Sequence, residues 1–234
     1  MYHPDAAELR AGAEELVRHG LRLLDDGLAV GTAGNLSLRL GDTVLITPSG
    51  LGYRDLTPAD ICPVSLAATT DTDPTADAPA NTDSGPTGPT DASSELPLHL
   101  AVYGATDAVA VVHTHSPEVV ALSAVRDDLP AIHYAITSLG GPVQVASYER
   151  FGSHRLAQAA LSALAGRSAV ILRNHGAVTY GATLPQAYER ALLLEWLARV
   201  YRMACSLGDP HILSAEELDE VAAEMRRRRY GEPR

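Results

Sequence analysis

No lysine occurs in the 234 residues; all 18 basic positions are arginine. That absence excludes chemistry that needs an ε-amino group: a Schiff-base aldol step, attachment of pyridoxal phosphate, or a phosphate-binding P-loop. A carbonyl or phosphate must then be handled by a metal, neutral donors, backbone N–H groups or arginine. Cysteine is scarce as well. Cys62 and Cys205 match neither a disulfide framework nor a metal-ligand spacing, and both are expected as core thiols. The first sixteen residues carry early acids and no unbroken apolar core, so no signal peptide is expected there. No apolar stretch approaches the length of a membrane span, and the protein is expected in the cytoplasm, without a membrane partner.

Acid exceeds base, 29 Asp and Glu against 18 Arg, for a net charge of −11. This argues against nucleic acid as the main partner, because binding to a phosphate backbone needs a basic face. Residues 67–92 hold five Asp, four Pro and no basic residue. Such a segment cannot bury enough apolar surface to offset its ordering entropy, and a mobile surface loop is expected. The rest of the chain is then nearer −6, which weakens the charge argument.

Helices alternate with short strands. Helical spacing covers 5–24, 153–164 and about 183–206, and Ser214 with Glu217 forms the capping-box pattern that opens a last helix. Residues 35–40 alternate Leu36, Leu38 and Leu40 with Ser37 and Arg39, predicting a half-buried strand. Segments 43–47, 61–66, 108–112, 131–134, 143–146 and 169–173 read as further strands, and Ser93 or Ser94 as the cap of a helix through Tyr103. The pattern predicts one α/β or α+β domain over 1–234, built on a central sheet.

Two apolar strands end in histidine. His113 and His115 stand two apart after the first, so both side chains leave on one face, and His175 follows the second within Asn174-His175-Gly176. Three imidazoles brought together at strand ends make a catalytic zinc site with one open position. His-x-His alone leaves metal and structural roles balanced, and the second strand-end histidine tips the reading toward metal. Glu95, from Ser93-Ser94-Glu95 alone, is better read as a carboxylate favouring a helix N-terminus than as a ligand or general base. Thr32, Gly34 and Asn35, then Ser49 and Gly50, then Ser93 and Ser94 form three clusters at turns or helix starts, where free N–H groups bind anions.

These segments, together with Ala131-Ile132-His133-Tyr134, occur in the order seen in the class II aldolase/adducin family, which the chain resembles over nearly its whole length. The resemblance implies a central, mainly antiparallel sheet with helices on both sides, assembled as a homotetramer with sites at subunit interfaces. It implies zinc, one per subunit, held by His113, His115 and His175, with Glu95 as fourth ligand and acid/base. It places a sugar phosphate on Thr32, Asn35, Ser49, Gly50, Ser93 and Ser94, makes Phe151 a pocket aromatic, and makes Tyr134 and Tyr230 catalytic. The implied activity is reversible cleavage of a ketose 1-phosphate to dihydroxyacetone phosphate and a small aldehyde. Related reactions on the same site, such as 4-epimerisation, dehydration or decarboxylation, stay open, as does a non-enzymatic adducin-like module. The family's ribulose-phosphate 4-epimerase branch carries an acid where this chain has only Ala135 to Gly141 without one, which favours the aldolase branch. The 67–92 segment is longer than the usual connection, and Thr-Asp-Ala precedes Ser93 where proline is common.

Overall fold

A computed structural model describes residues 2–66 and 92–228. An eight-stranded sheet runs β3-β2-β1-β4-β8-β7-β6-β5, with β1 Asn35–Leu40, β2 Thr43–Ile46, β3 Cys62–Ser65, β4 Ala110–Thr114, β5 Asp128–Leu129, β6 Val143–Ala146, β7 Ala169–Leu172 and β8 Gly176–Gly181. Every pairing is antiparallel except that of β6 with β7. Six α-helices accompany it among the described residues: α1 Ala6–Asp25, α2 Leu96–Ala105, α3 Pro117–Ser123, α4 His154–Leu164, α5 Leu184–Leu207 and α6 Ala215–Arg227. The mixed α/β class and the mainly antiparallel sheet agree with expectation. The expected loop at 67–92 lies outside the described residues but for Ala92.

Side-chain alternation along the central strands divides the core. Ala110 and Val112 of β4, with Leu36 and Leu38 of β1, pack against α1 and α5. Val111, Val170, Leu172 and Val178 face Leu98 and Val102 of α2 and Leu156 and Ala160 of α4 on the opposite side. A third cluster on the α5 side joins α3, α6 and the β5–β7 end of the sheet. The sheet is therefore covered on both faces, and a fully buried leucine such as Leu36 or Leu98 contributes about 1.5–3 kcal/mol.

Four expectations change. β1 is buried on both faces over Asn35–Leu38, so its alternation marks two kinds of interior and not core against solvent. Residues 131–134 form no strand: Pro130 offers no N–H, and the chain enters a 3-10 turn, Tyr134–Leu139, capped by the His133 ring accepting from the Ala135 N–H at 3.2 Å. β8 was not foreseen, because its Ala-Val-Thr-Tyr run follows a histidine turn and is neither continuously apolar nor cleanly alternating. Cys62 is buried as expected, but Cys205 is exposed. The expected capping box, Ser214 with Glu217, is present on α6, and Asp5 with Glu8 forms a second one on α1 that was not expected.

Candidate active site

The site lies where β1, β4 and the β7–β8 turn meet the start of α2. His113 is the penultimate residue of β4, in register with Asn35 of β1 and Val178 of β8. His115 follows one residue beyond the strand, its N–H held by the Leu28 carbonyl at 2.9 Å. His175 sits in the turn between β7 and β8, where Asn174 takes a left-handed φ of 53° and donates its N–H to Ser123 Oγ at 2.9 Å. Two glycines allow the close packing of these segments. A Cβ on Gly176 would stand 1.9 Å from the Thr114 carbonyl, and one on Gly34 would stand 2.8 Å from that of His113, with φ already at +79°.

The three imidazoles pack edge to face, with ring centroids 4.8–4.9 Å apart. Glu95 reaches them from the N-cap position of α2. Its Oε2 is 2.9 Å from His113 Nε2 and its Oε1 is 3.3 Å from His175 Nε2, the latter without hydrogen-bond geometry. The helix-end role favoured from sequence is thus overturned: the Glu95 side chain makes no capping bond, and neither serine caps α2. Instead Ser93 Oγ accepts from the Glu95 N–H at 3.3 Å, which sets the carboxylate's direction.

The donor set fits a metal cation. His113 Nδ1–H donates to the Ala177 carbonyl at 2.9 Å, so the Nε2 lone pair points inward at His115 Nε2 and Glu95 Oε2, both 2.9 Å away. This is the orientation that outer carbonyl partners give metal-bound imidazoles. The four ligand atoms lie within 4.8 Å of one another, and Glu95 Oε1 is buried without a hydrogen-bond partner. Burial, then His113 and His175, pull His115 down to about 3; burial and His113 pull His175 down to about 4. Both rings are therefore neutral at neutral pH, the state in which an imidazole can ligate a cation. Burial alone would raise Glu95, but His113, His175 and Asn35 outweigh it and hold the carboxyl well below its ordinary range. Burial lowers His113, and the neighbouring carboxylate more than reverses that.

A cavity of about 400 Å³ opens from this cluster. Its lining falls into two sets by chemistry: Glu95, His115 and His175 of the cluster, and the hydroxyl, amide and backbone groups of Thr32, Asn35, Ser49, Gly50, Ser93 and Ser94, with Phe151, Tyr148 and Glu149 beside them. No arginine lines it among the described residues. Thr47 knits the hydroxyl set together. Its Oγ1 accepts from the Leu36 N–H at 3.1 Å, and its carbonyl accepts from the Ser93 N–H at 3.2 Å.

This geometry coincides with what comparison with known proteins returns. Residues 14–202 match the family model for the class II aldolase and adducin N-terminal domain. The chain belongs to the class II aldolase and adducin family. The 5-methylthioribulose-1-phosphate/5-deoxyribulose-1-phosphate aldolase of Rhodospirillum rubrum is 36% identical over 217 residues, covering 90% of this chain and 91% of that one. The L-fuculose phosphate aldolase of Escherichia coli is 34% identical over 212 residues, covering 89% and 91%. A solved L-fuculose 1-phosphate aldolase superposes with a TM-score of 0.81 at 31% identity, covering 92% of this chain and 96% of that one. The chain is a metal-dependent class II aldolase, and its four-residue Glu–His cluster is the place able to hold the metal.

Not every expected residue of this class II aldolase joins the cavity. Asn35 does, but its carboxamide is spent inside the protein, donating to Glu95 Oε2 at 3.0 Å and facing His99 with its oxygen. Tyr134 is 48% exposed beside His133 and does not line the cavity, and Tyr230 lies outside the described residues. His99 and Tyr103 stand one and two helical turns after Glu95, a spacing visible in the sequence, whereas nothing in the sequence sets Ser37 of β1 apart from its neighbours.

Proposed function

We propose that the protein is a zinc-dependent aldolase that reversibly cleaves a ketose 1-phosphate to dihydroxyacetone phosphate and a small aldehyde. The observation that carries this reading is one cavity that opens from a cluster of three imidazoles and a carboxylate and is lined elsewhere by neutral hydroxyl and backbone donors. Held by His113, His115, His175 and, at rest, Glu95, zinc would supply Lewis acidity toward the substrate's carbonyl and adjacent hydroxyl oxygens. Thr32, Ser49, Gly50, Ser93 and Ser94 would hold the phosphate through hydroxyls and free N–H groups near the start of α2, with Asn35 linking the two sets. Glu95 would move the proton at C3, returning it in cleavage and removing it in condensation.

Tyr134 and Tyr230 would stabilise and protonate the aldehyde-side oxygen. Since Tyr134 stands apart from its own chain's cavity, it would serve the site of a neighbouring copy in a homotetramer. Phe151 and Tyr148 give the cavity an apolar wall. Together with the deoxy and methylthio sugars named for the relatives, that wall favours a substrate with an unoxygenated far end, L-fuculose 1-phosphate or a 5-deoxypentulose 1-phosphate. We take the whole chain as one cytoplasmic domain.

Triose-phosphate release across a panel of ketose 1-phosphates, read beside metal content, tests the proposal. Release from a deoxyketose 1-phosphate with about one zinc per chain is expected. An epimer, a dehydrated product or carbon dioxide without triose phosphate would assign a related reaction, and a metal-free inert protein would leave an adducin-like module.

A further inference from the structure

Glu95, His99 and Tyr103 stand at i, i+4 and i+8 on α2, and Asn35 and Ser37 stand at i and i+2 on the face of β1 turned toward that helix. Four helical residues rise about 6 Å and two strand residues about 6.7 Å, so the two rows stay in step. The side chains interleave into one buried chain of contacts. Tyr103 Oη is 2.7 Å from Ser37 Oγ, and Ser37 Oγ is 2.6 Å from His99 Nδ1. His99 Nε2 is 2.5 Å from Asn35 Oδ1, and Asn35 Nδ2 is 3.0 Å from Glu95 Oε2. His99 and Ser37 are fully buried, and Asn35, Glu95 and Tyr103 are nearly so.

The carboxylate at the end fixes the direction of every bond. An ionised Glu95 only accepts, so Asn35 presents its NH2 and turns its oxygen to His99. That oxygen only accepts, so His99 donates from Nε2 and carries its lone pair on Nδ1. Ser37 must then donate to Nδ1, and its oxygen accepts from Tyr103. Each hydroxyl, ring nitrogen and amide group in the row has one role.

We infer that Tyr103, Ser37 and His99 are positioning residues that lock the Asn35 carboxamide so that it faces Glu95 as a donor only, pinning Oε2 and leaving Oε1 as the oxygen free to exchange a proton. The inference rests on the proposed role of Glu95 and extends it three side chains into the core. Without the Ser37 donor, His99 can hold its proton on Nδ1. Asn35 then flips to donate to His99 and sets its oxygen against the carboxylate.

The test is a double-mutant cycle on the full-length protein. Ser37→Ala, Tyr103→Phe, His99→Gln and His99→Leu are each made alone and on an Asn35→Ala background. Zinc affinity is read by competition with a chromophoric chelator, kcat and KM by triose-phosphate release, folding by thermal unfolding, and the His99 tautomer by 15N spectra of histidine-labelled protein. Wild type is expected to show His99 protonated on Nε2. Ser37→Ala is expected to weaken zinc and lower kcat by about tenfold each, within the range for partners of metal ligands, with KM changed less than about twofold. His99→Leu should do at least as much, Tyr103→Phe less, and His99→Gln, which keeps a donor near the Nε2 position, should retain most of both. On Asn35→Ala the effects of Ser37→Ala and Tyr103→Phe should vanish. Effects that persist undiminished on that background, an Nδ1-protonated His99 in wild type, or unchanged zinc affinity in folded Ser37→Ala and Tyr103→Phe would overturn the inference. If wild type itself bound no metal and released no triose phosphate, the proposed function would fail instead.

Discussion

The two sets of residues around the cavity are built by opposite means. The imidazole set draws His113 from a central strand and Glu95 from a helix start, both buried, with His115 and His175 just past strand ends and partly open to the cavity. The hydroxyl set draws Thr32, Ser49, Gly50 and Ser94 from turns, and their side chains or backbones are solvent-facing. On the proposed function, the difference follows from what each set would hold, a cation at the imidazoles and a phosphate at the neutral donors. Converging lone pairs and a carboxylate repel one another unless rigid neighbours keep them in place for a cation. A phosphate dianion needs many weak neutral donors and little else, and loops supply N–H groups that sheets have already spent.

The comparison breaks most sharply at His113. His113→Ala should lose both zinc and cleavage, with activity down by at least about a thousandfold and metal content near zero by atomic absorption. Glu95→Gln separates ligand from base in the same set: part of the metal should remain while kcat falls by about 10²–10⁴-fold in the release assay. In the hydroxyl set, Ser49→Ala or Ser94→Ala should leave metal content intact and raise KM by about tenfold, each lost charge-assisted hydrogen bond being worth about 1.5 kcal/mol. If those serine variants lost zinc, the two sets would not be separable.

The smallest expected effect is on pH stability of the metal-free protein. His99, His115 and His175 are held near 3, 3 and 4, mainly by burial, against 6.5 unfolded. Between those values the unfolded chain binds more protons, so stability is fully present above 6.5 and declines as pH falls below it, by about 1.4 kcal/mol per pH unit for each group. His113, shifted upward beside Glu95, adds stability as pH falls toward 6.5 and changes little below it, so the loss from the other three rings governs the range from 6.5 to 5. The melting temperature should therefore drop by several degrees from pH 7 to pH 5. A constant or rising value would contradict the buried, neutral state of these rings.

The imidazole set was the more legible in sequence. His-x-His after an apolar run, and a second histidine after another such run, declare their position because strand ends are recognisable from hydrophobicity. Glu95 was not legible by itself, because a carboxylate at a helix start has an ordinary explanation and only the fold shows it turned inward. β1 misled for a related reason. Ser37 alternates with leucines as a solvent-facing residue would, yet it meets His99 and Tyr103 in a buried polar layer that no single segment reveals. β8 escaped because Gly176-Ala177-Val178-Thr179-Tyr180-Gly181 offers neither the continuous apolar run that marks β4 and β7 nor a clean alternation. The missing lysine was informative from the start. It excluded the iminium route to aldol chemistry, and among the described residues no arginine lines the cavity either.

The central claim is that cleavage depends on a metal held by His113, His115, His175 and Glu95. Its most direct test removes the metal with a chelator and then titrates zinc back while triose-phosphate release is followed. The account predicts that activity disappears on stripping and returns in proportion to zinc, saturating at one ion per chain. Full-rate cleavage by the stripped protein would contradict it.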